Sequence, residues 1–234
     1  MVDHTEEVAA EPTAWFGAFL LTWVSAAVAS TVMLLVAGAT DPDTPTSIPV
    51  LAVSLAAGWA VYTAGSVVAA RRLGRSGPLA ELGISARPID LIGVPIGVIG
   101  QLLLIPAVYL PLRAIWPATF DEGALTETAE DLIDRADGGL FVVLFVLVVI
   151  GAPVFEELFY RGLLQRPLLA RYSPVVVIVG VAAVFALIHF RPVEYPGLFV
   201  AGLLFGVCAW RTDRLGMAVA AHVGFNATGL VLAL

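Results

Sequence analysis

The sequence predicts an all-α, polytopic transmembrane helix bundle of about seven to eight spans, from its composition, from the length of its apolar runs and from their pattern. Of 234 residues, 59% are hydrophobic and 13% charged, whereas an average soluble domain is roughly 45–50% apolar and about 25% charged. The apolar residues fall in unbroken runs of the length a helix needs to cross a bilayer, about 17–25 residues. Barrel strands would alternate apolar with polar residues, and these runs do not. The single cysteine, Cys208, excludes an internal disulfide and with it a stapled secreted module.

In order, the runs are Trp15 to Thr40, Ile48 to Ala70, Leu91 to Leu112, Gly138 to Phe155, Pro174 to Phe190, a shorter Pro196 to Trp210, and Leu215 to Leu234. Pro42, Pro45 and Pro49 mark a tight turn after the first run, and Pro78 and Pro88 break the connection after the second. Between the third and fourth runs, Leu125, Ala129, Leu132, Ile133 and Ala136 recur at helical spacing among acids, with Gly138 and Gly139 as a stop signal. That pattern reads as a short surface helix. No internal repeat is visible, which disfavours a transporter built from inverted halves. Residues 1–234 read as a single integral membrane domain. The N-terminus is acidic (Asp3, Glu6, Glu7, Glu11), unlike the positively charged start of a secretory signal.

Net charge is −7, from 19 acids and 12 bases, and every base is arginine. Without lysine there is no Schiff-base or P-loop lysine. An acidic chain with few bases is not expected to bind nucleic acid. Arg71, Arg72, Arg75, Arg87, Arg161, Arg166, Arg171, Arg211 and Arg214 fall on one side of a seven-span arrangement, and Arg113, Arg135 and Arg191 on the other. The positive-inside rule then puts the N-terminus in the cytoplasm of a multi-pass cell-membrane protein, with the lipid bilayer as its surroundings. Trp15, Trp116, Trp210, Tyr172 and Tyr195 stand near run ends, where amphipathic rings favour the interface.

Ionisable residues inside spans are expensive and mark function by default. Here they gather in the last third of the chain: Glu156, Glu157 and Arg161, then His189, then His222 with Asn226. Glu157 and Arg161 are four apart and can pair on one helix face. Glu156 points about 100° away from Glu157, so one acid can be structural while its neighbour faces a cavity. Phe185 with His189, and His222 with Asn226, share faces in the same way. Tyr160 reads as a belt or packing residue and Cys208 as a small core residue.

Three helices can thus present a carboxylate, two imidazoles and an amide to one point. That set suits hydrolysis, because a carboxylate takes a proton from water and an imidazole holds that water or receives the proton. Imidazole and amide N–H groups stabilise the oxyanion that follows. Glu156, His189 and His222 would serve equally as a three-ligand zinc site with one open position. Spacing alone does not separate the two mechanisms.

These segments resemble the three motifs of the CAAX prenyl protease and bacteriocin-processing (CPBP) family of intramembrane proteases. Glu156, Glu157 and Arg161 match the first motif, Phe185 and His189 the second, His222 and Asn226 the third. The resemblance covers residues 142–230, and the first three spans match only as generic membrane helices. It implies an intramembrane endopeptidase that hydrolyses a peptide bond of a membrane-associated or lipid-modified protein or peptide. By that resemblance Glu156 and His189 activate water, His222 and Asn226 form the oxyanion site, and Glu157, Arg161 and Phe185 support them. No resident cofactor is expected, with zinc as the alternative.

The run ends strain this reading. Glu156 lies about 27 Å below one end of the fourth run, and His189 about 22 Å above the opposite end of the fifth. Straight helices with those ends hold the two apart. Either the fourth span runs on past Pro153 toward Arg166, or the bundle is tilted and kinked. Two other function classes compete. A catalytically silent membrane binding, immunity or scaffold protein would keep its partner after loss of Glu156. A proton-relay transporter would need a continuous polar path, and the first three spans offer only Gln101 and hydroxyls.

Overall fold

The computed structural model describes residues 10–41 and 44–234. Asp3, His4, Glu6, Glu7 and Pro42 lie outside the described residues. Among those described, all regular structure is helical. The elements are α1 (Pro12–Val36), α2 (Ile48–Leu73), α3 (Pro88–Ile115), α4 (Glu122–Asp134), α5 (Gly139–Leu169), α6 (Pro174–Leu187), α7 (Tyr195–Thr212) and α8 (Gly216–Leu232). Each apolar run of the sequence becomes helix. α1, α2, α3, α5 and the stretch Pro192–Thr212 are long and apolar enough to cross a membrane, while α6 and α8 are shorter. The chain is a multi-pass helical membrane protein.

Three of the run ends that differ from the sequence reading bear on the site. The fourth does not stop at Phe155 but runs on past Pro153 to Leu169, the first of the two alternatives above. Its second half looks like a helix end in sequence because it carries Glu157, Arg161 and Gln165, yet all three are buried against neighbouring helices and against each other. The fifth run stops at Leu187, and His189 stands in the following turn, before Phe190 at φ 55°. The sixth is longer than its apolar core suggests, because Pro192–Glu194 adds a helical turn ahead of α7.

α3 and α5 are not uniform rods. Wide π-helical turns span Gly100–Leu104, Val146–Gly151 and Glu157–Gln165. A proline follows each within two residues: Pro106, Pro153 and Pro167. Proline has no N–H and its ring crowds the carbonyl four residues back. Widening the preceding turn relieves that crowding and lets the helix continue through it.

Two antiparallel blocks meet at α5. α1 and α2 form a hairpin that packs on its middle. Phe159 is fully buried between Phe19 (centroids 4.4 Å apart, planes 20°) and Tyr62 (3.9 Å, 3°). Trp15 joins that cluster and is 6% exposed, so it is a core residue and not the interfacial anchor its position suggests. On the other side α3 lies so close to α8 that a side chain on Gly97 would collide with the Ala221 carbonyl. Close approach through small residues is how helices associate where lipid removes the hydrophobic drive.

The bundle ends are tied by polar contacts. At the arginine-rich end Arg214 grips Asp90 with two bonds, of 2.8 and 2.6 Å, and Arg166 pairs with Asp213 at 2.5 Å. Backbone bonds from Leu215 and Gly216 reach the carbonyls of Gly83 and Ser85. At the acidic end α4 forms as the sequence predicts, capped by Asp121, which accepts from the Ala124 N–H at 2.8 Å. Its Leu132 and Ile133, with Ala136 beyond it, pack on Ile48 and Leu144. Arg135 ties this end to Asp131 and to the Thr46 carbonyl.

Candidate active site

The extension of α5 brings the polar segments to a common depth. Measured from the arginine-rich end, Glu156 lies about 20 Å along α5 and His189 about 22 Å along α6 and its turn, at 1.5 Å per residue. The Phe185 ring stands between the motifs. Its centroid is 4.8 Å from the His189 ring and 6.0 Å from the His222 ring.

The two adjacent glutamates have separate environments. Glu157 is fully buried, and its Oε1 accepts from Arg161 Nη1 and from His222 Nδ1, each at 2.9 Å. Arg161 also donates Nη2 to the Gly202 carbonyl at 3.0 Å, and its guanidinium lies 4.9 Å from the Phe185 centroid and 5.5 Å from that of Phe205. Glu157 is therefore held as the counter-charge of a buried arginine. Glu156 is half-buried and accepts no hydrogen bond among the described residues. Electrostatically it faces His222, Glu157 and Arg161, and on the α2 side Tyr62.

The histidine tautomers follow from their partners. His189 Nδ1 lies 2.6 Å from the Phe185 carbonyl. A carbonyl only accepts, so Nδ1 carries the proton and a neutral His189 offers Nε2 as an acceptor. His222 donates Nδ1–H to the Glu157 carboxylate. Phe205 covers one face of that ring at 4.3 Å and 17°. Asn226 gives one amide N–H to the Val148 carbonyl at 2.9 Å, leaving a second N–H.

The structure thus brings Glu157, Arg161, His222 and Phe185 into direct contact, with Glu156 and His189 beside that cluster. Charges felt by His189 come from Glu194 and Arg161. The set Glu156, His189 and His222 does not gather as a metal cage: among the described residues no three His, Cys, Asp or Glu side chains are placed to hold a metal ion. Sequence reasoning missed Phe205 and Tyr62, which are aromatic residues in apolar runs and carry no signal. It also missed Gln165, which was readable as the next residue on the Glu157–Arg161 face.

Fold and site together define a polytopic helical membrane protein with a buried Glu–Arg–His ion-pair network and an unpaired glutamate beside it. Residues 138–228 match the family model described as type II CAAX prenyl endopeptidase Rce1-like. The match spans all three motifs, supports the CPBP resemblance, and supports a CAAX-type intramembrane endopeptidase in general. Comparison with curated proteins and with solved structures gives no match.

Proposed function

We propose that this chain is an intramembrane endopeptidase that cleaves a peptide bond in a prenylated or otherwise membrane-associated protein, by a metal-free, glutamate-based mechanism. One observation carries the reading: of two adjacent glutamates, Glu157 is consumed by Arg161 and His222 while Glu156 is left half-open without a protein partner. Glu156 is the unpaired carboxylate and His189 keeps a free acceptor nitrogen, so a water held by the two would donate one proton to each. That aims the oxygen lone pair at a substrate carbonyl.

In this mechanism Glu156 takes the proton as the water oxygen bonds to the carbonyl carbon. The second N–H of Asn226 donates to the oxyanion, and His222, where its ring carries both protons, adds Nε2–H. The proton then passes to the departing amine as the C–N bond breaks. Glu157 fixes the His222 ring through Nδ1, and Arg161 holds Glu157 in place through its own bond to Oε1. The arginine-rich end faces the cytoplasm, which leaves the N-terminus there too, in the cell membrane.

The test is cleavage of a prenylated CAAX-type peptide by the full chain in lipid vesicles. Glu156→Gln abolishes cleavage while the protein stays folded and extractable. Cleavage by that variant at the wild-type rate overturns the mechanism.

A further inference from the structure

His189 stands in the turn between α6 and α7, not on either helix. Phe190, the next residue, is left-handed at φ 55°, a conformation that bulky residues keep only where their surroundings impose it. Two helices remote in sequence touch this connection. Trp23 of α1 lies against the Phe190 ring, with centroids 6.2 Å apart and planes at 28°. From α3, the buried Tyr109 places its hydroxyl between Val193 and Gly197.

That hydroxyl donates to the Val193 carbonyl at 2.9 Å and accepts from the Gly197 N–H at 3.2 Å. Val193 and Gly197 are four apart, the carbonyl and N–H that bond to each other in a continuous α-helix. A side chain inserted into that ladder bends it. The insertion coincides with a change of helix type: Pro192–Glu194 is a 3₁₀ turn, and the α-helix starts at Tyr195. Gly197 makes room for it, since a side chain there would stand 3.0 Å from the Tyr109 ring and hydroxyl. Phe120 backs the same ring at 5.9 Å. The 3₁₀ turn held in this way is tied to the His189 turn. Arg191 pairs with Glu194 at 2.8 Å, and Glu194 is one of the two charges that face His189.

We propose that Tyr109 is a positioning residue. By splitting the Val193–Gly197 pair it sets the angle at which the chain leaves His189, and so the place of the imidazole beside Glu156. The third span, outside the family-matched residues 138–228, thereby shapes the site. Without the hydroxyl the two backbone groups are free to bond each other, which straightens the start of α7 and draws the His189 turn with it. The effect of Tyr109 on rate rests on the hydrolysis proposed above; its effect on the His189 ring does not.

The experiment uses the full chain, ¹⁵N-labelled at histidine, in lipid nanodiscs, with the His189 ring signals assigned by their loss in His189→Gln. Tyr109→Phe removes the hydroxyl and keeps the ring. Gly197→Ala keeps the hydroxyl but displaces it, which preserves the test if Tyr109→Phe does not fold. In each variant the His189 Nδ1 and Nε2 signals are expected to move, while those of His222, held by Glu157, stay. On the prenylated peptide kcat falls on the order of 10²-fold, the scale of an ångström-level misplacement. KM is unchanged, the mark of a loss confined to the transition state. Unmoved His189 signals in either folded variant overturn the proposal, whatever the peptide does, and moved signals with wild-type kcat overturn the positioning role. Moved signals beside a wild type that cleaves nothing sustain the effect on the ring and overturn the hydrolase reading instead.

Discussion

Asn226 donates its amide to the carbonyl of Val148, at 2.9 Å, across the α5–α8 interface. That carbonyl is available because of a residue five positions on. In the π turn the Ala152 N–H bonds to Leu147, so the Val148 carbonyl falls to position 153, and Pro153 has no N–H to give. A proline in one helix thus creates the acceptor that orients an amide on another.

Pro153→Ala restores the missing N–H and competes for Val148. The expected outcome is a loss on the order of 10²-fold in kcat, the scale associated with an ångström-level misplacement, without a lower melting temperature. Cleavage kinetics on the prenylated peptide, with unfolding followed in parallel, check it.

The adjacent glutamates separate stability from chemistry. Glu157→Gln strips the counter-charge from a buried arginine and lowers stability by about 3–5 kcal/mol. Glu156→Gln leaves stability within about 0.5 kcal/mol of wild type but costs at least about 10²-fold in rate. Denaturation in detergent beside activity in vesicles distinguishes the two.

Outside the membrane, Glu81 closes the loop after α2. Its Oε1 accepts from the Ser76 hydroxyl and from the N–H groups of Ser76 and Arg75, each at 2.7 Å. Burial pushes its pKa up, but those bonds and the Arg166 charge outweigh it, and the net shift is below the ordinary carboxylate value. A lowered folded pKa means the loop's stability is fully present above the unfolded pKa and is lost as pH falls through the folded one. Amide exchange at Ser76 therefore stays slow near neutrality and accelerates on acidification below the ordinary glutamate range. In Glu81→Gln it is fast throughout, and equal pH profiles for the two proteins would refute the assignment.

Gly97→Val places a branched side chain against the Ala221 carbonyl. Helices α3 and α8 must separate, and overpacking of this kind costs roughly 1–3 kcal/mol. Because Ala221 precedes His222, activity falls further than stability alone explains. A thermal melt and a rate measured well below the melting temperature check both parts.

How much of this was readable beforehand depended on contrast. Glu156, His189, His222 and Asn226 stood out because ionisable and amide groups are rare in a run that otherwise excludes charge. Phe205 and Tyr62 lie in apolar stretches where one more aromatic says nothing about what it touches. The extension of α5 past Pro153 is one of two alternatives the run ends leave open, because Glu157, Arg161 and Gln165 have the polarity of a helix terminus and only their partners on α7 and α8 decide the matter. The π turns left one trace, a proline two residues beyond each, which becomes legible only after the wide turns are seen.

The stack of Phe19, Phe159 and Tyr62 has a consequence for any attempt to isolate the motif-bearing part. A fragment beginning at Gly138 would contain the glutamates, histidines and asparagine, yet Phe159 would lose both flanking rings, because these come from α1 and α2. Each such ring pair contributes about 0.5–1.5 kcal/mol beyond simple burial, and Phe159 stands next to Tyr160, whose ring meets Phe185 edge-on at 5.1 Å. The segment that carries the chemistry is thus not a portable module: the first two helices act as its splint, and without them the aromatic wall behind the site would open to lipid.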